Sequence, residues 1–350
     1  MSHESDTNGR VNMKSYQLHS AVDRHAEFAR LDPAVWREED LLRMWVVADP
    51  ALIVQLLRSP LTAISDLNEV LAAVKARHPI ELPHVEYACG VLPVLVRGDV
   101  HPQIRKGFAT FLAARLGELD AQLPVLVKSG LAPLGRKGSL DIVTQVVNPL
   151  MRKIFSIFLG SEMPEEFLRV HVTEILSFKA MVSHLKALDA RIGTVLAHLR
   201  ATSPDADEVG WKLICLVFGL DSVAMMLTES LVMALRRGEA ALPDFPLETG
   251  VPVSHRRAKS DFSLGGHAFA RGDLIRLQMQ SLSYRDMAEH GKFIFGAGAH
   301  SCLGKQVSLR IWEAFKREFD TLGAKGRVVD YRLTPSHYII FHKSVQVEVL

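Results

Sequence analysis

The chain is poor in cysteine. Its 350 residues hold three, Cys89, Cys215 and Cys302. None is spaced as Cys-x-x-Cys, which argues against a zinc site or a dithiol redox pair. A small, odd number in a chain this long points to a reducing compartment. Cys89 and Cys215 lie in apolar runs and read as buried, unreactive thiols. An excess of one charge is also missing. Lys and Arg total 41 against 39 Asp and Glu, a net charge of +2, and the 15 histidines are scattered. That balance excludes the basic footprint of a nucleic-acid binder. No apolar run approaches the ~18 residues of a membrane span. The polar start, Met1 to Arg10, lacks the basic-then-apolar pattern of a signal peptide. Residues 1–16 are expected to be disordered. Internal repeats, linkers and low-complexity blocks are absent. What remains, 48% hydrophobic and 23% charged residues, suits a soluble globular protein with a large core.

Periodicity gives a helix-rich chain with a small strand portion, mainly α within an α+β class. Trp45-Val46-Val47 reads as a short strand, followed by a helix over Ala51 to Arg58 with Asp49 as cap and Pro50 in its first turn. Helical spacing runs from Gly107 to Val127, then a turn-rich stretch from Ser129 to Gly138. Leu140 to Leu159 reads as a buried helix stopped by Gly160, and Met163-Pro164-Glu165-Glu166 as the start of another. Trp211 to Arg236 is the longest apolar helix and should run through the centre of the molecule. Val251 to Arg256, Phe262 to Phe269 and Leu274 to Leu277 read as strands, Val307 to Phe319 as an amphipathic helix. Tyr338 to Phe341 and Val345 to Val349 read as a terminal hairpin.

The densest chemical signal is Phe295-Gly296-Ala297-Gly298-Ala299-His300-Ser301-Cys302-Leu303-Gly304. Glycines allow a tight turn and close approach to a flat macrocycle. Backbone N–H groups at the start of the following helix favour a thiolate. The string resembles the haem-thiolate signature of the cytochrome P-450 family, Phe-Gly-x-Gly-x-(His/Arg)-x-Cys-x-Gly, at all six defined positions. The order of elements resembles that fold from about Trp45 onward, which implies a single haem domain over 17–350.

The resemblance implies haem b as cofactor, with Cys302 as axial iron ligand, His300 as donor to a haem propionate and Phe295 packed near the sulfur. Gly296, Gly298 and Gly304 would shape the loop. His101 and Arg105, at i, i+4, match a family His-x-x-x-Arg that binds propionates, and Arg256 matches a propionate-binding strand arginine. In the long helix, Gly219, Asp221 and Ser222 fill the family's Gly-x-(Asp/Glu)-Thr. There the glycine thins the helix beside the iron, and acid and hydroxyl relay protons. An aspartate in so apolar a helix is costly unless satisfied. Phe218, where alanine is usual, would narrow the substrate pocket.

Two departures stand out. The family's Glu-x-x-Arg helix should precede Val251, yet its acid and base positions hold Pro243 and Pro246, incompatible with a helix interior. The segment between Leu282 and Phe293 is short. The resemblance implies a cytoplasmic monooxygenase of the soluble bacterial type. It would oxidise a small organic substrate, in natural-product biosynthesis by analogy, with electrons from a ferredoxin- or flavodoxin-type donor. Lys305, Arg310, Lys316 and Arg317 could favour an acidic partner. The departures keep two alternatives open: a catalytically degenerate scaffold acting through a partner enzyme or homo-oligomer, and a peroxide-driven or otherwise atypical haem-thiolate oxidation.

Overall fold

A computed structural model describes residues 24–32, 34–38, 44–64, 67–96, 98–171, 174–175, 181–248, 250–334 and 341–350. The expectations for residues 1–16 and for Tyr338 to Ile340 fall outside these. In chain order the elements are α1 (Arg24–Arg30), β1 (Val35–Glu38), β2 (Met44–Val47), α2 (Pro50–Arg58), β3 (Thr62–Ile64), α3 (Leu67–Arg77), α4 (Pro83–Val91), α5 (Val100–Leu131), β4 (Gly138–Asp141), α6 (Asn148–Leu159), α7 (Phe167–Val170) and α8 (Val182–Thr202). After these come α9 (Ala206–Arg237), β5 (Val253–Ala258), β6 (Phe262–Leu264), β7 (His267–Phe269), β8 (Leu274–Gln278), α10 (Ser281–Tyr284), α11 (Met287–His290), α12 (Lys305–Leu322), β9 (Gly326–Thr334) and β10 (Phe341–Val349). They form two compact units, Met1–Ser65 with Val251–Cys302, and Asp66–Gly250 with Leu303–Leu350.

The first unit is built on a five-stranded sheet of order β1-β2-β8-β5-β3. Only β2 and β8 run parallel; the other pairs are antiparallel. Register puts Arg256 opposite Ile275 and Arg276 opposite His255, so these two buried arginines lie on opposite faces. As expected, α2 starts at Pro50 and Asp49 caps it, its Oδ1 accepting from the Leu52 N–H at 2.7 Å. Gly265 and Gly266, at φ 57 and 78, make the two-residue turn between β6 and β7. The short helices α10 and α11 follow β8, and Arg285 holds α1 by donating to the carbonyls of Phe28 (2.8 Å) and Leu31 (3.0 Å).

The second unit packs long helices over a three-stranded antiparallel sheet, β4-β10-β9. Its core includes Trp312, Phe315 and Phe319 of α12, with Ile154 and Phe158 of α6. By length and composition α9 could cross a bilayer, but 72% of its most apolar window is buried inside the protein, as in a core helix. Sequence periodicity misplaced several boundaries. Pro124 lies inside α5, which runs unbroken to Leu131. Leu140 belongs to β4, where alternation is too short to read, and helix follows only after Asp141. Asp141 stitches the sheet, accepting from the Val143 N–H (2.8 Å), Ser344 Oγ (2.6 Å) and Gln346 Nε2 (2.9 Å). The helix begun by Pro164 is only the four-residue α7. β10 pairs mainly with β9, a polar strand that apolar patterning did not reveal. Among the described residues there is no helix between Arg237 and Val253, as the two prolines require.

Candidate functional site

Backbone geometry shapes the cysteine loop. Gly296 and Gly298 both have positive φ, 78 and 71. A side chain at Gly298 would also come within 3.0 Å of the Leu57 carbonyl oxygen. Both positions therefore need glycine. The turn is closed by Gly296 N–H to Phe293 O (2.8 Å), Ser301 N–H to Gly298 O (3.2 Å) and Cys302 N–H to Phe295 O (2.8 Å). Phe295 is buried, His300 half-buried on the short 3-10 turn Gly298–His300, and Cys302 exposed. Cys89 and Cys215 are buried, and burial pushes the Cys215 thiol far up. Cys302 is thus the one described cysteine open to a ligand-binding role. Gly304 has φ −78, so its torsion alone does not demand glycine.

Arg256 is 5% exposed. It donates to neutral acceptors, Ser254 Oγ at 2.8 Å and His255 O at 3.0 Å, and forms no ion pair with a carboxylate among the described residues. Burial lowers its pKa to about 10. A desolvated guanidinium with only neutral partners is suited to an anionic ligand. Such a cation fits a haem carboxylate.

In the second unit, His101 and Arg105 sit in the first two turns of α5, both half-buried, with Pro102 beside them as expected. Burial first, and Arg105 second, lower the His101 pKa. Residues Cys215–Leu220 of α9 form a π-helical segment that ends directly before Asp221. Segments of this kind recur at functional sites. Phe218, Gly219 and Ser222 are half-buried, and Asp221 is buried. Gly219 has a packing role: a Cβ there would stand 2.9 Å from Cζ of Phe155 on α6.

Two residues here escaped sequence reasoning. His171 Nδ1 lies 3.3 Å from Asp221 Oδ1, across 50 positions that no local motif links. Gly250 (φ 72) packs its backbone against α9, with its missing Cβ 3.0 Å from the Ser222 carbonyl oxygen. The expected basic patch is largely neutralised. Arg310 pairs with Asp120, Lys316 with Asp320 and Asp244, and Arg317 with Glu318.

No protein-family model matches the chain, and no curated protein matches it. Solved structures do. P450BioI, in complex with a hexadec-9Z-enoic acid ligated acyl carrier protein, superposes with a TM-score of 0.72 at 12% identity, over 96% of this chain and 100% of the other. P450 RauA, complexed with a biosynthetic intermediate of aurachin RE, gives 0.68 at 17%, over 99% and 98%. Cytochrome P450-153 from Novosphingobium aromaticivorans gives 0.68 at 16%, over 93% and 95%. With near-complete coverage on both sides, the chain has the fold of the cytochromes P450.

Proposed function

We propose that the protein is a haem-thiolate monooxygenase that inserts one oxygen atom into a small organic substrate. The observation that carries this reading is the exposed Cys302 thiol, held after two left-handed glycines, on a P450 fold. Cys302 would ligate the iron as thiolate. Arg256, His300, and His101 with Arg105 would hold the propionates, and Phe295 would shield the sulfur. Bound haem would supply the dioxygen chemistry: one oxygen atom enters a C–H bond and the other leaves as water, using two electrons and two protons.

The chain's own part is positioning and proton supply. Asp221 would hold a proton close to where it is consumed, and the Ser222 hydroxyl would pass it on. Phe218 would limit substrate bulk. Electrons would come from a ferredoxin- or flavodoxin-type donor in a cytoplasmic setting. Neighbours of this fold include P450-like monooxygenases of microbial secondary metabolism, which supports natural-product tailoring as the role. The acyl carrier protein bound by P450BioI adds a carrier-tethered acyl chain to the substrate classes worth testing.

One observation favours a second reading. Among the described residues no helix lies between Arg237 and Val253, where the resemblance implies a helix that braces haem, and a non-catalytic scaffold would tolerate that loss. Haem-supplemented protein, a surrogate ferredoxin with its reductase, and a panel of small organic and acyl compounds under isotopically labelled dioxygen separate the two. One labelled oxygen atom in a product supports the oxygenase. Failure to take up haem under full supply supports the scaffold. Turnover with peroxide alone would instead identify a peroxide-driven enzyme.

A further inference from the structure

Asp221 has a neighbour that the haem-thiolate signature does not include. His171 Nδ1 stands 3.3 Å from its Oδ1, and the two side chains are 32% and 9% exposed respectively. The imidazole therefore connects a buried carboxylate to solvent. His171 follows α7 with φ 45 and ψ 51. It is the only non-glycine residue with positive φ among the described residues. An L-residue is strained there, so something must hold it.

Arg191 of α8 does so. Its Nη1 donates to the Val170 carbonyl at 2.9 Å and its Nη2 to Glu174 Oε2 at 2.6 Å. The Glu174 N–H in turn donates to the His171 carbonyl at 2.9 Å. One guanidinium thus brackets both sides of the turn. Among the described residues, Glu174 of this turn and Arg191 of α8 pair with each other, and the ring meets the carboxylate of Asp221 on α9. An unfavourable backbone conformation, fixed from both sides so that one side chain meets one buried acid, has the marks of strain retained for a task.

We propose that His171 is a positioning residue for Asp221, fixing the carboxylate and exchanging protons between it and solvent. The idea rests on the proton-supply role given to Asp221 above. In the transfer, an imidazolium gives its Nδ1 proton to Asp221 Oδ1. That leaves a neutral ring protonated at Nε2 and a carboxylic acid. The half-exposed ring then turns to water, takes a proton back on Nδ1 and returns.

The test uses haem-loaded wild type, His171→Leu, His171→Asn, Asp221→Asn and the His171→Leu/Asp221→Asn double variant. Dioxygen uptake driven by a surrogate ferredoxin is measured in H2O and D2O, and thermal unfolding is recorded for each protein. His171→Leu should slow uptake about tenfold or more and enlarge the solvent isotope effect. The double variant should be no slower than Asp221→Asn alone, and the two substitutions should be non-additive in unfolding temperature. His171→Asn accepts the left-handed backbone. It should melt at or above the wild-type temperature yet keep the kinetic defect, which a purely structural role would not produce. Wild-type uptake and isotope effect in His171→Leu, with Asp221→Asn impaired, would overturn the role of His171 alone. An unimpaired Asp221→Asn, or a chain that takes up no haem, would remove the parent reading and this one with it.

Discussion

Gly250→Ala tests how the chain sets Ser222. Gly250 lies at φ 72, where an alanine pays about 1–2 kcal/mol in backbone strain. The new methyl would also sit 2.7 Å from Met225 Cβ and 3.0 Å from the Ser222 carbonyl oxygen, neither of which is a flexible side-chain end. Overpacking of this kind costs about 1–3 kcal/mol. The loss of unfolded-state freedom offsets less than about 1 kcal/mol, so the net destabilisation should be about 2–4 kcal/mol. Unfolding entropy near 2.1 cal/mol/K per residue, over 350 residues, makes each degree worth ~0.7 kcal/mol. The unfolding temperature should therefore fall by about 3–6 °C. Gly238→Ala is the control: φ is 65, but nothing lies within 4 Å of the added methyl, so only the strain contribution remains. Scanning calorimetry on both variants isolates the crowding. Equal losses, or a smaller loss at Gly250, would refute the close approach to Ser222.

Other perturbations have equally definite outcomes. Glu229 and His342 form a buried pair at 2.7 Å, with side chains 5% and 1% exposed. His342→Leu should destabilise by roughly 3–5 kcal/mol in urea unfolding, whereas Glu229→Leu/His342→Leu should recover most of it. Asp141→Ala removes an acceptor shared by three donors of β10 and the turn after β4, and should cost about 2–4 kcal/mol. His101 has its pKa lowered in the folded chain, first by burial and then by Arg105. The unfolded state thus binds the proton more readily, and the stability linked to this group is full above pH ~6.5 and declines as pH falls through that value. A His101→Gln variant should show a shallower acid limb in the stability-versus-pH curve.

The cysteine loop was legible because its constraints are local. Positive φ at Gly296 and Gly298 must be written as glycine, and the thiol must sit at a fixed offset from them. Helices with an apolar face, such as α9 and α12, were legible for the same reason, since burial imposes a period on consecutive residues. Pro243 and Pro246 announced a missing helix because their rings forbid one. β9 was not legible, because it is solvated and takes its order from pairing with β10 rather than from apolar alternation. The break at Asp141 depends on donors some 200 residues away. The contact of His171 with Asp221, and the pressing of Gly250 on Ser222, are tertiary facts with no period or spacing to betray them. Sequence reasoning found the atoms that carry the proposed chemistry and missed those that hold them.

The central claim is the bond between a porphyrin iron and the sulfur of residue 302. The carbon-monoxide spectrum of the reduced, haem-loaded protein tests it directly, measured beside Cys302→Ala. Wild type should show the red-shifted Soret band of thiolate ligation, and the variant should lose it. A Cys302→Ala protein that binds haem with an unchanged spectrum would contradict the account.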